Sequence, residues 1–313
     1  MIVTTRARKP EVENASGSDS PAVATRHNPS GNNGSSFRNA VLPGPHADGT
    51  TPKQTTSDGI AFIPSQDLSC GACRSGLASF PFSMAFQPIV DLETCQIDAF
   101  EALVRGPAGE GASHVLSQVN AENVYAFDQT CRVKAIELAS SLGIACRLNI
   151  NFLPNAVYQP RACIRATLDA ASRTGFPAHL LTFEIVESEA VVDPAHLLNI
   201  VREYKRQGFS LALDDFGTGT SGFLQVAELQ PDIVKVDRAL IQGCDRDKRR
   251  LAIIASLIAL GREIGIKIVL EGMERPEEVV ALRSVGGRFM QGFYFGKPLF
   301  EKIATRQEIF GQR

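Results

Sequence analysis

Leu211-Ala212-Leu213-Asp214-Asp215-Phe216-Gly217-Thr218-Gly219 is the segment from which the rest of the chain can be read. An apolar, strand-like run ends in two adjacent carboxylates, and glycines then loosen the backbone. Along a regular strand, neighbouring side chains point to opposite faces. At a strand's end, as the chain turns, both can aim at one point. Two ionised carboxylates side by side repel, and holding both in a cleft is costly without a cation. The segment therefore asks for a metal.

Six further apolar runs end in a polar residue in the same manner. Phe100-Glu101 follows Ile97-Asp98-Ala99, and Leu148-Asn149-Ile150-Asn151 follows Ala145-Cys146-Arg147. The others are Leu181-Thr182-Phe183-Glu184-Ile185-Val186-Glu187, Ile233-Val234-Lys235-Val236-Asp237, Ile268-Val269-Leu270-Glu271 and Phe289-Met290-Gln291-Gly292. One acid at one strand end reads as a solvated terminus. A series of them reads as a shared site.

Between these runs lie segments of helical periodicity. Val124, Phe127, Cys131, Ala135 and Leu138 recur at helical spacing, which predicts a helix over 121–142. The same reasoning predicts helices over 161–174, 194–207, 248–264 and 276–285, and a short one around Leu224. Gly208, Gly265 and Gly286 stand where helices should stop. The expected strands are 83–90, 97–105, 147–152, 180–186, 210–213, 232–236, 267–270 and 289–295. Eight strands alternating with helices match an α/β fold, a (β/α)8 TIM-like barrel whose chemistry sits at the C-terminal strand ends. The first two strands are joined only by Asp91 to Gln96, too short for a parallel crossover, so the first strand is expected to be antiparallel.

The chain has 313 residues, 44% hydrophobic and 21% charged, with a formal net charge of −2. That balance gives no electrostatic footprint for a DNA or RNA polymer. No apolar run approaches the ~20 residues needed to cross a bilayer, so no membrane segment is expected. Arg6, Arg8 and Lys9 are followed by no apolar stretch, and a cytoplasmic location is expected. Residues 1–68 are rich in Ser, Gly, Asn, Thr and Pro, and they are expected to form a disordered tail. A short lead-in over 69–79 contains Cys70 and Cys73, read with the other five cysteines as reduced thiols. The barrel domain is expected over 80–313.

Two motif readings compete for the central loop. Gly217-Thr218-Gly219-Thr220-Ser221-Gly222 fits a dinucleotide-binding G-x-G-x-x-G, with Asp237 downstream. Against it, two carboxylates occupy the approach of a pyrophosphate, and Glu101, Asn151, Glu184 and Glu271 stay unexplained. Asp215-Phe216-Gly217 also spells the kinase metal motif, yet no H-R-D catalytic loop accompanies it. His27, His46, His114, His179 and His196 all lie outside the polar series, which disfavours a histidine-rich metallohydrolase. Oxygen ligands from Asp, Glu and Asn suit Mg2+ or Mn2+.

The ordered set Phe86-Gln87-Pro88-Ile89-Val90, Glu101-Ala102-Leu103-Val104-Arg105, Asn151, Glu184-Ile185-Val186-Glu187, Asp214-Asp215-Phe216-Gly217, Lys235-Val236-Asp237, Glu271-Gly272-Met273-Glu274 and Gln291-Gly292-Phe293-Tyr294-Phe295 resembles the EAL family of cyclic di-GMP phosphodiesterases. The resemblance runs from about Phe80 to Leu299. It implies a barrel that opens cyclic di-GMP to linear pGpG with two Mg2+ or Mn2+ ions. Glu101, Asn151, Glu184 and Asp214 would hold one ion, and Asp214 would bridge to a second completed by Asp215 and Glu271. Lys235 would orient the attacking water, Glu271 would serve as base, and Gln291 would lie beside that water. Arg105 would pair with a phosphate, Gln87 would contact a guanine, and Leu103 would line the substrate site. Glu187 would anchor the loop after Asp215, and Asp237 would support the site from behind. A homodimer is common among such relatives. The family's loop commonly carries Tyr where this chain has Thr220, so a catalytically weak or inactive cyclic di-GMP receptor is the alternative.

Overall fold

The computed structural model describes residues 80–186, 193–219 and 222–311. The expectations for residues 1–68, Cys70, Cys73, Glu187 and Thr220 fall outside them. In chain order the elements are β1 (Ser83–Asp91), β2 (Gln96–Arg105), α1 (Ala112–Leu116), α2 (Val124–Ser141) and β3 (Arg147–Asn151). Then come α3 (Pro160–Cys163), α4 (Arg165–Thr174), β4 (Leu181–Val186), α5 (Pro194–Arg206), β5 (Ser210–Phe216), α6 (Gly222–Leu229) and β6 (Ile233–Val236). The series ends with α7 (Arg238–Ile241), α8 (Lys248–Ile264), β7 (Lys267–Glu271), α9 (Pro276–Ser284), β8 (Phe289–Gln291), β9 (Leu299–Phe300) and α10 (Arg306–Phe310).

Strands β2 to β8 pair in sequence order, each parallel to the next. β1 closes the ring by pairing antiparallel with β2 on one side and β8 on the other. Val90 stands opposite Met290, and Asp91 opposite Phe289. The short β9 continues that edge, with Phe86 opposite Leu299. The barrel is therefore closed and mixed, as the short β1–β2 connection requires.

Several boundaries differ from the sequence reading. α2 begins at Val124 because Asn120 and Asn123 spend the preceding turn on each other's backbone: Asn120 Oδ1 accepts from the amides of Glu122 (2.9 Å) and Asn123 (3.2 Å). The helix expected over 161–174 is two helices meeting at Ile164. β5 runs on to Phe216, and β8 stops at Gln291. There a Cβ on Gly292 would lie 2.2 Å from the carbonyl oxygen of Met273, so the backbone packs too closely for any side chain.

Apolar side chains form two shells between barrel and helices. One includes Phe152, Phe183, Tyr204 and Phe209 against α2 to α5; the other includes Ile254, Ile258, Leu270 and Leu282 under α8 and α9. Inside the barrel, Ile89, Ala99, Ala212, Ile233 and Val269 form a small separate layer closed by Phe289. No helix among the described residues is long and apolar enough to cross a membrane.

Candidate active site

Strand alternation builds the site on top of that interior layer. Side chains two positions apart along a strand share a face. Two residues beyond Ala99, Ala212, Ile233, Val269 and Phe289 stand Glu101, Asp214, Lys235, Glu271 and Gln291. β1 runs the other way, so its contribution, Gln87, stands two residues before Ile89. Asn149 and Asn151 enter from β3, and Thr182 and Glu184 from β4.

Lys235 is at the centre. It is 1% exposed, and its Nζ lies 2.9 Å from Glu184 Oε2, 2.9 Å from Glu271 Oε1, 3.3 Å from Glu101 Oε2 and 3.3 Å from Asp214 Oδ1. Amides fix the carboxylates around it. Gln291 donates to Glu101 Oε2 (2.6 Å) and to Gln87 Oε1 (3.3 Å), Asn151 donates to Glu101 Oε1 (3.1 Å), and Asn149 donates to Glu184 Oε1 (2.7 Å).

Asp215 joins the group by breaking the alternation. Its φ is 55°, the left-handed region that Asp tolerates better than most residues. The register between β5 and β6 shifts between Leu213 and Phe216, so the backbone turns at this point. The Asp215 amide donates to Asp214 Oδ1 (2.9 Å), and Thr218 Oγ1 donates to the Asp215 carbonyl (2.9 Å). As a result, oxygens of Asp214, Asp215 and Glu271 lie within 4.8 Å of one another, as do oxygens of Glu101, Glu184 and Asp214. Asp214 belongs to both groups.

The electrostatics follow from one ammonium facing three buried carboxylates, Glu101, Glu184 and Asp214, and a fourth, Glu271, that is partly buried. Burial disfavours the Lys235 ammonium, but Asp214, Glu101, Glu184 and Glu271 together push its pKa well above the ordinary lysine value. Burial pushes Glu184 up to about 8 against the pull of Lys235, helped by the charges of Glu101 and Asp214. Burial likewise drives Glu271 well above the usual carboxylate range. Glu101 goes the other way: burial opposes ionisation, yet Lys235 and the amides of Gln291 and Asn151 hold it well below that range. Asp215 is pushed up to about 6 by burial and by the neighbouring Asp214 and Asp237. The layer thus carries more negative charge than Lys235 balances.

That deficit and the donor set fit hard divalent cations, which take oxygen ligands from carboxylates and amides. Asn151 Oδ1 is buried with no hydrogen-bond partner among the described residues, while its nitrogen is engaged by Glu101. A cation next to Glu101 would satisfy that oxygen.

The layer opens into a cavity of about 100 Å³, which Gln87, Leu103, Asp237, Arg238, Glu274 and Phe293 also line. Gln87 Nε2 donates to the Gly296 carbonyl (3.1 Å). Arg105 is half-buried at the end of β2, where Glu101 acts on its charge. Asp237 has a second task, since its Oδ1 caps α7 at the Ala239 amide (2.7 Å). Asn149 was not singled out from sequence, although it lies two residues before Asn151 and so on the same face. The Arg238–Glu274 pair at the mouth (3.4 Å) gave no sequence signal, because its partners are 36 residues apart.

The EAL domain family model matches residues 72–298 of this chain. The chain belongs to the EAL domain family. A standalone versatile EAL protein from Vibrio cholerae O395, solved in its c-di-GMP bound form, superposes with a TM-score of 0.70 at 48% identity, covering 72% of this chain and 96% of that one. BlrP1 from Klebsiella pneumoniae, in a manganese/cy-diGMP complex, gives a TM-score of 0.68 at 32% identity over 72% of this chain and 58% of its own. Among curated relatives, the uncharacterized protein y4lL from Sinorhizobium fredii is 29% identical over 72% of this chain and 28% of its own length. The probable cyclic di-GMP phosphodiesterase PdeD from Escherichia coli is 29% identical over 72% of this chain and 43% of its length. The chain therefore spans less than half the length of these two curated relatives.

Proposed function

We propose that this EAL domain is a metal-dependent phosphodiesterase that opens cyclic di-GMP to linear pGpG in bacterial second-messenger signalling. The observation that carries the reading is the sharing of Asp214 between two groups of three carboxylates, the arrangement that a pair of cations needs. The relatives bound to c-di-GMP and those named as its phosphodiesterases supply the substrate class.

Glu101, Asn151, Glu184 and Asp214 would hold one Mg2+ or Mn2+ ion, and Asp214, Asp215 and Glu271 a second. When bound, such ions supply a nucleophile at neutral pH and offset charge gathering on the phosphoryl oxygens. Lys235, fixed by four carboxylates, orients the attacking water and adds a buried positive charge facing the phosphate. Glu271, whose Oε1 lies 2.9 Å from Lys235 Nζ, takes the water's proton as general base. Gln291 lies beside the water, and its hydrogen bond to Glu101 sets its angle. Arg105 pairs with a phosphate, while Gln87 and Leu103 contact the nucleotide at the mouth. Asp237 supports the site from behind, and Glu187 would anchor the loop after Asp215. Phe223 and Leu224, 63% and 60% exposed on α6, offer an apolar surface for a homodimer, and the setting is the cytoplasm.

Incubating the purified protein with cyclic di-GMP and Mg2+ or Mn2+, with chromatography of the products, tests the reading. Linear pGpG should appear with metal and not with chelator. Glu101→Ala should lower turnover at least ~100-fold while the barrel stays folded, the scale set by losing groups that position a metal. A Glu101→Ala protein that keeps most of its turnover would show that the assignment is wrong.

A further inference from the structure

On the outer wall of the barrel, away from the carboxylate layer, α3 and the start of α4 face α5 across a cavity of about 530 Å³. That volume is within the range of pockets that hold small molecules. Its lining combines the Tyr158 ring, the imidazole of His196, the guanidinium groups of Arg161 and Arg165, and the side-chain amides of Gln159 and Asn199. None of these belongs to the catalytic constellation.

Three features give the cavity a chemical preference. Tyr158 is 62% exposed, yet its ring packs against Tyr125 at 5.9 Å between centroids, so one aromatic face is held open to solvent. A fixed, exposed ring is suited to stacking a flat partner. The wall is also cationic. Glu203 is the carboxylate present, and it is already taken by Arg206 at 2.6 Å and by Gln207 at 2.8 Å. Arg161 reaches it only through Nε at 3.4 Å, with its side chain 80% exposed, and Arg165 makes no ion pair among the described residues. The guanidinium groups therefore keep their planar forks free for a phosphate. Finally, the amides of Gln159 and Asn199 each offer a donor and an acceptor, which suits the edge of a base.

We infer that this cavity is a second ligand site, which binds a nucleoside monophosphate with its base stacked on Tyr158 and its phosphate held by Arg161 and Arg165. The site lies on the segment that follows Asn151. The Val157 carbonyl accepts from the His196 ring of α5, and the Leu153 amide donates to Asp128 Oδ1 (3.0 Å). Occupancy would thus brace the chain just beyond the end of β3. The inference does not depend on catalysis at the barrel mouth.

Equilibrium dialysis of radiolabelled GMP against the full chain, in EDTA, tests it with metal-dependent turnover silenced, and the Tyr158 and Arg165 variants separate this cavity from the barrel mouth. One equivalent of GMP should bind. Tyr158→Ala should weaken binding roughly tenfold, the scale of losing one base–aromatic stack. Arg165→Glu should weaken it by at least as much, while both variants retain the wild-type circular dichroism and cyclic di-GMP turnover measured without GMP. Guanosine and inorganic phosphate should each compete far more weakly than GMP. Absence of GMP binding by the wild type would overturn the inference, as would binding that both substitutions leave unchanged. Equal competition by inorganic phosphate would also overturn it, because the site would then read only an anion.

Discussion

Low in the barrel, Ile89, Ala99, Ala212, Ile233 and Val269 pack against one another; one side-chain layer nearer the mouth, Glu101, Glu184, Asp214 and Glu271 crowd around Lys235. Strands β2, β5, β6 and β7 supply both layers, and in each of them the paired positions differ by two residues. The backbone geometry is therefore shared, and only the side-chain chemistry changes. The lower layer is stabilised by burial alone and needs no ligand. The upper layer depends on charge balance, because a buried carboxylate without a cation is costly. The contrast separates the part of the barrel that maintains the fold from the part that spends stability on chemistry.

The strongest way to break this contrast is Lys235→Met. Removing the ammonium leaves four carboxylates facing one another in a closed space. In EDTA the variant should lose ~3–5 kcal/mol, the cost of breaking a buried charge pair, read by urea unfolding. Unchanged stability would mean that the carboxylates carry too little charge to need the lysine.

A paired substitution sharpens the contrast through its signs. Ile233→Ala in the lower layer should cost ~2–5 kcal/mol at any pH and with or without metal, as buried large-to-small changes do. Glu184→Gln in the upper layer should abolish turnover without that loss. The Glu184 carboxyl is pushed up to about 8 from an ordinary 4.5. Its protonation therefore contributes stability that is fully present below about 4.5 and lost as pH rises through about 8. In EDTA, Glu184→Gln should match the wild type near pH 4 and exceed its Tm near pH 9. A variant less stable than wild type at both values would contradict the upper layer's excess of negative charge.

Much of this was legible in the sequence because it rests on period-two alternation. The polar ends of apolar runs gave Glu101, Asn151, Glu184, Asp214, Lys235, Glu271 and Gln291, and the short Asp91–Gln96 link gave the antiparallel β1. What escaped depends on contacts distant in sequence or on single dihedral angles. The two-residue β9 exists only because β1 offers an edge beyond the end of β8. The left-handed Asp215 that brings two adjacent carboxylates to one side is fixed by the register shift against β6. Lys235 could be read as a site residue, but its position among four carboxylates follows from barrel closure. The cavity beside Tyr158 is likewise assembled from α3, α4 and α5, with no local motif.

The shared position of Asp214 is the central claim, and Mn2+ stoichiometry tests it most directly. Counting bound Mn2+ by the electron paramagnetic resonance signal of the free ion, in titrations of wild type, Asp215→Asn and Asp214→Asn, separates the cases. The account predicts two ions per wild-type chain, one retained tightly by Asp215→Asn, and neither retained tightly by Asp214→Asn. A wild-type chain that binds one ion, or an Asp214→Asn chain that still binds two, would contradict it.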